Sequence, residues 1–303
     1  ENRLTELSAA TLRHLPLLEQ LLLGGKIDGQ RRTIVNGNRI KELGAVFGYN
    51  DQLQVIDFSN NELQKIDPAT FAGLKKLRWL SLSLNNLTTI PAGTFQGLGK
   101  LRTLALYRNK LTAIPEGTFH GLGQLHRLDL HRNKLTTIPE GTFQGLEQLR
   151  RLDLGINRLT TIPAGTFQGL GQLQRLDLYH NKLTVIPEGT FQGLGKLRKL
   201  ELGRNRLTEI PAGTFQDLGQ LRELYLYRNR LSTIAAKSFQ GLEQLRELYL
   251  VNNPLSTIAA EAFQGLDQLQ RLWLDYNPWN SSSFCIDSSS FPLLNDLQGI
   301  SFC

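Results

Sequence analysis

The sequence predicts a solenoid of the α/β class, one short strand per repeat, with the strands stacked into a parallel sheet. Three observations carry that expectation. The phrase L-x-x-L-x-L-x-x-N-x-L returns from Leu53 to Leu269 in nine steps of 24 residues, hence ten copies. Inside each phrase the leucines alternate at the period of two that marks a strand with one buried face. Strands recurring in one direction must pair in parallel, about 4.8 Å apart, while about 15 residues of each unit return the chain. The return half is the wider. The stack is therefore expected to curve as a horseshoe, with the sheet on its concave face and an irregular or short-helical convex side.

A chain of 303 residues ordinarily suggests two domains, but stacked repeats share one elongated core and override that count. The expected divisions are irregular repeats at 1–52, ten regular repeats at 53–276 and a C-terminal cap at 277–303. Composition is globular, at 40% hydrophobic and 20% charged, with no apolar run near the ~20 residues of a membrane span. The opening ENRLTELS lacks the basic and apolar stretches of a signal peptide. Methionine is absent even at position 1, which reads as a processed, excised or engineered chain. A net charge of +7 admits acidic partners.

In the first part, NRLTEL at 2–7 matches NRLTEI at 205–210, so the chain starts in the middle of a unit. Leu18–Leu23 reads as the first complete strand, and the pattern resumes at Asn38-Arg39-Ile40. Residues 24–37 are then an inserted loop or short hairpin. No cap is legible before this first unit, so either a cap is missing or a partner, a second copy included, covers the exposed end.

The return segments are equally patterned. Asparagines recur from Asn61 to Asn277, and a stacked short amide can satisfy backbone groups buried between units. Phenylalanines recur from Phe71 to Phe263 as an aromatic spine. Ile-Pro at 90–91 and in the next five units fixes an extended turn, and Ile-Ala replaces it at 234–235 and 258–259. Towards the end, Leu294, Leu297, Ile300 and Phe302 read as a degenerate last strand. Cys285 and Cys303, the only cysteines, suit a disulfide-clamped cap; two free thiols are the alternative. Asn86-Leu87-Thr88 and Asn280-Ser281-Ser282 fit the N-glycosylation acceptor pattern.

The pattern LxxLxLxxNxLxxIPxGTFxGL across 53–276 resembles the typical 24-residue class of leucine-rich repeat proteins. That class includes Toll-like receptors, small proteoglycans, the platelet adhesion receptor and the variable lymphocyte receptors of jawless vertebrates. The IPxGxF turn and the Asn-Pro-Trp at 277–279 are most similar to the last group. Ser281, Ser282 and Ser283 stand about where the first cap cysteine of that class belongs, no cysteine-rich N-terminal cap is present, and 24–37 is foreign to the pattern. The resemblance implies an extracellular recognition protein, secreted or a receptor ectodomain, binding protein or glycan on the concave face.

With the first Leu of each phrase as position 1, positions 3, 5 and 7 face away from the core. Arg127, Arg151, Arg175 and Lys199 stand at position 3 beside Asp129, Asp153, Asp177 and Glu201 at position 5. The pattern is either an exposed salt-bridge ladder or a polar groove for a patterned ligand. Tyr225, Tyr227, Tyr249, Trp273 and Tyr276 converge in the last repeats, with Glu223, Glu247 and Arg228 around them. Rigid aromatics with polar tips are binding anchors, so this cluster is the first candidate site. Trp79, Tyr107, His131 and Tyr179 make a smaller second patch.

Lys110, Lys134, Arg158, Lys182, Arg206 and Arg230 follow the asparagines, and a second row, Arg78 to Arg246, sits at position 2. These rows are a solvated rim or a track for a polyanion such as a sulfated glycan, a teichoic acid or nucleic acid. Enzyme chemistry has little support. No G-x-G-x-x-G or H-E-x-x-H occurs, two cysteines make no zinc site, and no cofactor is implied. The expectation is a non-enzymatic immune or adhesion receptor. A matrix protein engaging polyanions and a consensus-like scaffold without a natural ligand are the alternatives.

Overall fold

The computed structural model describes residues 4–7, 12, 17–23, 38–48 and 50–278. They belong to two compact units, 1–152 and 153–303, each described by itself. The first carries β1 (Gln20–Leu22), β2 (Glu42–Leu43), β3 (Val55–Asp57), β4 (Lys65–Ile66), β5 (Trp79–Ser81), β6 (Thr103–Ala105) and β7 (Arg127–Asp129). There β1, β3, β5, β6 and β7 lie side by side in that order, all parallel, and β2 pairs with β4 on the outer flank. β8 (Arg151–Asp153) holds the division between the units.

The second unit carries β9 (Arg175–Asp177), β10 (Lys199–Glu201), β11 (Glu223–Tyr225), β12 (Thr233–Ile234), β13 (Glu247–Tyr249), β14 (Thr257–Ile258) and β15 (Arg271–Trp273). β9, β10, β11, β13 and β15 form its parallel sheet, and β12 pairs with β14. A 3-10 turn at Ala260–Phe263 is the main helical element there. The fold class is therefore a parallel-strand solenoid with almost no helix. Among the described residues no helix is long and apolar enough to cross a membrane.

Register follows the repeat. Each strand pairs with the residue one period on, as Trp79 with Thr103 and Leu200 with Leu224. β1 pairs with β3 at a step of 35, Gln20 beside Val55. The extra residues fall between Leu23, whose N–H meets Asp57 O at 2.7 Å, and Asn38, whose amide donates to Leu23 O at 2.7 Å. Asn38 thus takes the column's place, and the excess falls within 24–37, which lies outside the described residues. Positions 1, 4 and 6 are buried in every repeat from Leu53 to Leu274, as Leu53, Ile56 and Phe58 show, each fully buried, whereas Leu18, Leu21 and Leu23 around β1 are only partly buried.

Two columns tie each unit together. The Asn85 Oδ1 accepts from Leu63 N–H in the preceding repeat at 2.9 Å, while its Nδ2 donates to Phe58 O and to Leu82 O. One short amide therefore satisfies backbone groups in two turns, where water has no access. The phenylalanines stack at centroid spacings of 6.1–6.4 Å from Phe47 to Phe143 in the first unit. In the second they stack at 5.9–6.4 Å from Phe167 to Phe263. Phe47 extends this spine one turn beyond the column read from sequence.

The outer flank is decided by proline. Asp67 N–H donates to Leu43 O, and Ala259 N–H to Ile234 O, closing the β2–β4 and β12–β14 pairs. Pro91, Pro115, Pro187 and Pro211 occupy the corresponding place and have no N–H to give. Ile-Ala at 234–235 and 258–259 does change this side, as expected.

Position 8 adopts the left-handed conformation in every repeat from Asn60 to Tyr276, with φ of 52–58°. Its N–H reaches forward to the next repeat, as Arg204 does to Tyr227 O at 2.8 Å. Lys237 is left-handed too (φ 60°), where six earlier repeats place glycine, from Gly93 (φ 79°) to Gly213 (φ 81°). A side chain costs about 1–2 kcal/mol in this region, and glycine's larger unfolded-state entropy returns part of that. Lys237→Gly is expected to stabilise the second unit by about 0.5–1 kcal/mol in urea unfolding. A destabilised variant would show that the Lys237 stem packs usefully.

Candidate ligand-binding face

The open face of the second sheet is organised by spacing. A 24-residue period places position 5 of adjacent repeats one strand apart, close enough for rings to stack. Tyr225 and Tyr249 stack at 4.2 Å and 10°, and Tyr249 and Trp273 at 3.8 Å and 8°. The Lys199 ammonium lies 4.1 Å from the Tyr225 centroid. The Tyr225 hydroxyl donates to Glu223 at 2.9 Å and the Tyr249 hydroxyl to Glu247 at 2.8 Å. Burial first, then these carboxylates, push both phenols well above their usual range. The three rings therefore cover one another's faces. Of the five aromatics in the candidate cluster, these three form a rigid stack that offers ring edges.

What opens instead is the hollow beside the stack. Tyr227 lies flat on Gly203, where a Cβ would stand 2.3 Å from the ring. It meets Tyr225 edge-on, at 6.5 Å and 83°. With Tyr249, Val251, Asn252, Arg228 and Tyr276, these two tyrosines line a hollow of about 570 Å³. Tyr276 is 84% exposed at its rim.

The charged columns differ from expectation. Asp129, Asp153 and Asp177 are buried at 3%, 6% and 0% exposure, so they do not form a solvent-facing acidic row. At Asp129 and Asp177 a longer arginine of the same strand folds over the short carboxylate. Arg175 Nε donates to both Asp177 oxygens, at 3.0 and 2.7 Å, and Arg127 Nη2 to Asp129 at 3.2 Å. These pairs run within one strand, whereas Lys199 with Glu223 (2.8 Å) and Arg271 with Glu247 (3.0 Å) bridge neighbouring strands. Arg151 and Asp153 stand at the matching places of β8. Glu201, next in the column, has no such arginine. Burial pushes its carboxyl up to about 7, against a 3.2 Å bond from Gly203 N–H and the attraction of Lys199.

In the first unit His131 stacks on Tyr107 at 5.1 Å and 11°, and its Nδ1 meets Asp129 at 2.8 Å. Burial raises the Asp129 carboxyl, but the hydrogen bonds and charge of His131, with Arg127, outweigh it and hold it below the usual range. Trp79 stands four positions back along its strand direction, beside Thr103 rather than Tyr107. Tyr179 belongs to the second unit and lies over Gly155. The second patch is therefore the Tyr107–His131 pair. A separate hollow of about 630 Å³ opens where the β2–β4 ladder stops, lined by Lys65, Asn86, Thr88, Thr89, Pro91 and Lys110 among others.

The leucine rich repeat model matches residues 34–87, 51–111, 76–134, 99–159, 147–207, 196–255 and 228–278. The chain belongs to the leucine-rich repeat family. No curated protein matches this leucine-rich repeat chain. Among solved structures it is similar to Drosophila Toll in its glycosylated complex with Spatzle, with a TM-score of 0.76 and 26% identity, over 98% of this chain and 42% of that one. It is similar to the Leptospira interrogans leucine-rich repeat protein LIC12759, with a TM-score of 0.69 and 27% identity, over 93% and 78%. A complex of Latrophilin 3, Unc5D and FLRT2 (LRR) gives 0.64 and 26%, over 77% and 78%. The chain spans 40% of the Toll chain in a second Toll–Spatzle structure and 51% of the chain matched in the TLR13–ssRNA13 complex.

Within this leucine-rich repeat frame, sequence reading missed Gly155 and Gly203, the seats of Tyr179 and Tyr227. The signal was present: glycine stands at position 7 only in these two repeats, and tyrosine follows 24 residues later both times. It also missed Val251 and Asn252 in the hollow, and the left-handed position 8. The disulfide of Cys285 with Cys303, the Asn280 acceptor and the cap they belong to lie outside the described residues.

Proposed function

We propose that this leucine-rich repeat chain is a non-enzymatic recognition protein of the receptor or adhesion type that takes a protein partner at the tyrosine hollow. The observation that carries the reading is the hollow itself. Tyr225 and Tyr249 of the rigid three-ring stack form one wall, Tyr227 is pinned by Gly203, and the mostly exposed Tyr276 stands at the rim. Pre-ordered aromatic surface costs little entropy on binding and is typical of interface anchors. The solved relatives support the reading, since Toll was solved with Spatzle and FLRT2 with Latrophilin 3 and Unc5D. Action outside the cell is supported by Asn86, half-exposed beside the exposed Thr88 of its acceptor triplet. His131 is engaged by Tyr107 and Asp129, which favours a positioned surface pair over a catalyst.

The three stacked rings make a poor test, because truncating them disturbs the sheet. Tyr227→Ala with Tyr276→Ala leaves the stack in place. Screened against purified secreted and cell-surface protein domains, the chain is expected to give partners whose affinity falls about 30-fold in that double variant. Partners unaffected by the change, or no partner at all, would overturn the reading.

A further inference from the structure

We infer that the edge of the second unit beside its asparagine column is a binding surface for a linear anionic glycan, such as a sulfated or uronic-acid polysaccharide. The left-handed turn at position 8 sets a second cation row alongside the one at position 10. Arg204 and Arg206 flank buried Asn205, Arg228 and Arg230 flank buried Asn229, and Lys182 continues the row. All five are exposed. Backbone bonds hold them one repeat apart: Arg206 N–H to Leu183 O and Arg230 N–H to Leu207 O, both 2.8 Å.

One energetic feature points to a ligand. Among the described residues none of these five makes an ion pair, although like charges at strand spacing repel by up to about 1 kcal/mol each even in water. An anion lying along the edge relieves the repulsion. Guanidinium forks match sulfate and carboxylate oxygens in particular.

The same geometry argues for a glycan over other polyanions. Single-stranded nucleic acid is held largely by successive bases stacked on a run of open rings, and here Tyr225, Tyr249 and Trp273 cover one another, which leaves Tyr276 as the mostly exposed ring among the described residues. A peptide that binds by strand addition needs a free backbone edge. Here the backbone N–H groups of Arg204, Arg206, Arg228 and Arg230 are bonded between repeats. What the edge offers is a line of fixed charge.

The test compares a size-defined heparin octasaccharide, a single-stranded oligonucleotide and a polyglutamate of matched charge at about 50 and about 200 mM salt. The octasaccharide is expected to bind tightest. Arg204→Asn with Arg206→Ser and Arg230→Ser should weaken it at least tenfold and reduce the log–log salt slope by about 2. The asparagine keeps the turn. Arg198→Ser with Arg222→Ser and Arg246→Ser removes the same charge from position 2, next to Glu223 and Glu247, and should change affinity less than about threefold. Equal losses in both variants, no octasaccharide binding, or equally tight oligonucleotide or polyglutamate would each overturn the inference. Arg228 also lines the tyrosine hollow, but the glycan is held by charge and not by the rings, so Tyr227→Ala with Tyr276→Ala should leave octasaccharide affinity unchanged, and a loss there would also overturn the inference.

Discussion

Asn181→Ala is expected to destabilise the second unit by about 2–3 kcal/mol, the largest effect of any single truncation proposed for this protein. The Asn181 Oδ1 accepts from Leu159 N–H at 3.0 Å, and its Nδ2 donates to Leu154 O at 3.1 Å and Leu178 O at 3.0 Å. Asn181 is 6% exposed, so alanine strands the Leu159 N–H where water does not replace its partner, while Leu154 O keeps Asn157 Nδ2 at 3.0 Å and Leu178 O keeps Asn205 Nδ2 at 3.1 Å. A buried orphan costs roughly 1–3 kcal/mol, and the carbonyls each lose one of two bonds. In a stack of nearest-neighbour units the damage should be local, with Leu159 N–H losing most of its hydrogen-exchange protection. The neighbouring exposed Lys182→Ala should change stability by less than about 0.5 kcal/mol. A loss below about 1 kcal/mol for Asn181→Ala would mean that the column is not what joins the turns.

Glu201→Gln should alter the pH dependence of stability by a comparable amount. The Glu201 carboxyl lies at about 7 in the folded chain, against an ordinary 4.5. The raised value means that the folded state favours the protonated acid. Its stabilising contribution is full below about pH 4.5 and is lost as pH rises through 7, amounting to about 3 kcal/mol. Glutamine can still accept the Gly203 N–H bond and carries no charge to desolvate. The variant should therefore match the parent near pH 4 and exceed it by about 2–3 kcal/mol at pH 8. Asp129 has the opposite sign, but it is common to both proteins and cancels in the difference. Urea titrations at several pH values decide this, and parallel pH profiles for the two proteins would refute it.

The solenoid, the parallel register, the asparagine and phenylalanine columns and the buried leucines were all legible in one dimension. A repeat exposes them because each unit makes the same contacts with the next, so a spacing of 24 residues is also a spatial neighbourhood. Even the replacement of proline by alanine at 235 and 259 foretold a change in the outer flank, since a missing N–H is a local property. The place of Asn38 after the insertion was readable for the same reason.

Side-chain layering was decided only in three dimensions. Alternation says that Asp129, Asp153 and Asp177 leave the core, but Arg127 and Arg175 lie over their carboxylates and bury them. Period alone brings Tyr225, Tyr249 and Trp273 together. It does not say that they stack face to face and leave a hollow beside Tyr227. The seat at Gly203 and the left-handed turn that doubles the basic edge depend on how one turn meets the next. Sequence thus determined which residues are neighbours, because that follows from the backbone repeat. Tertiary structure decided which atoms of those neighbours meet solvent, because that depends on side-chain length, rotamer and competition for the same space.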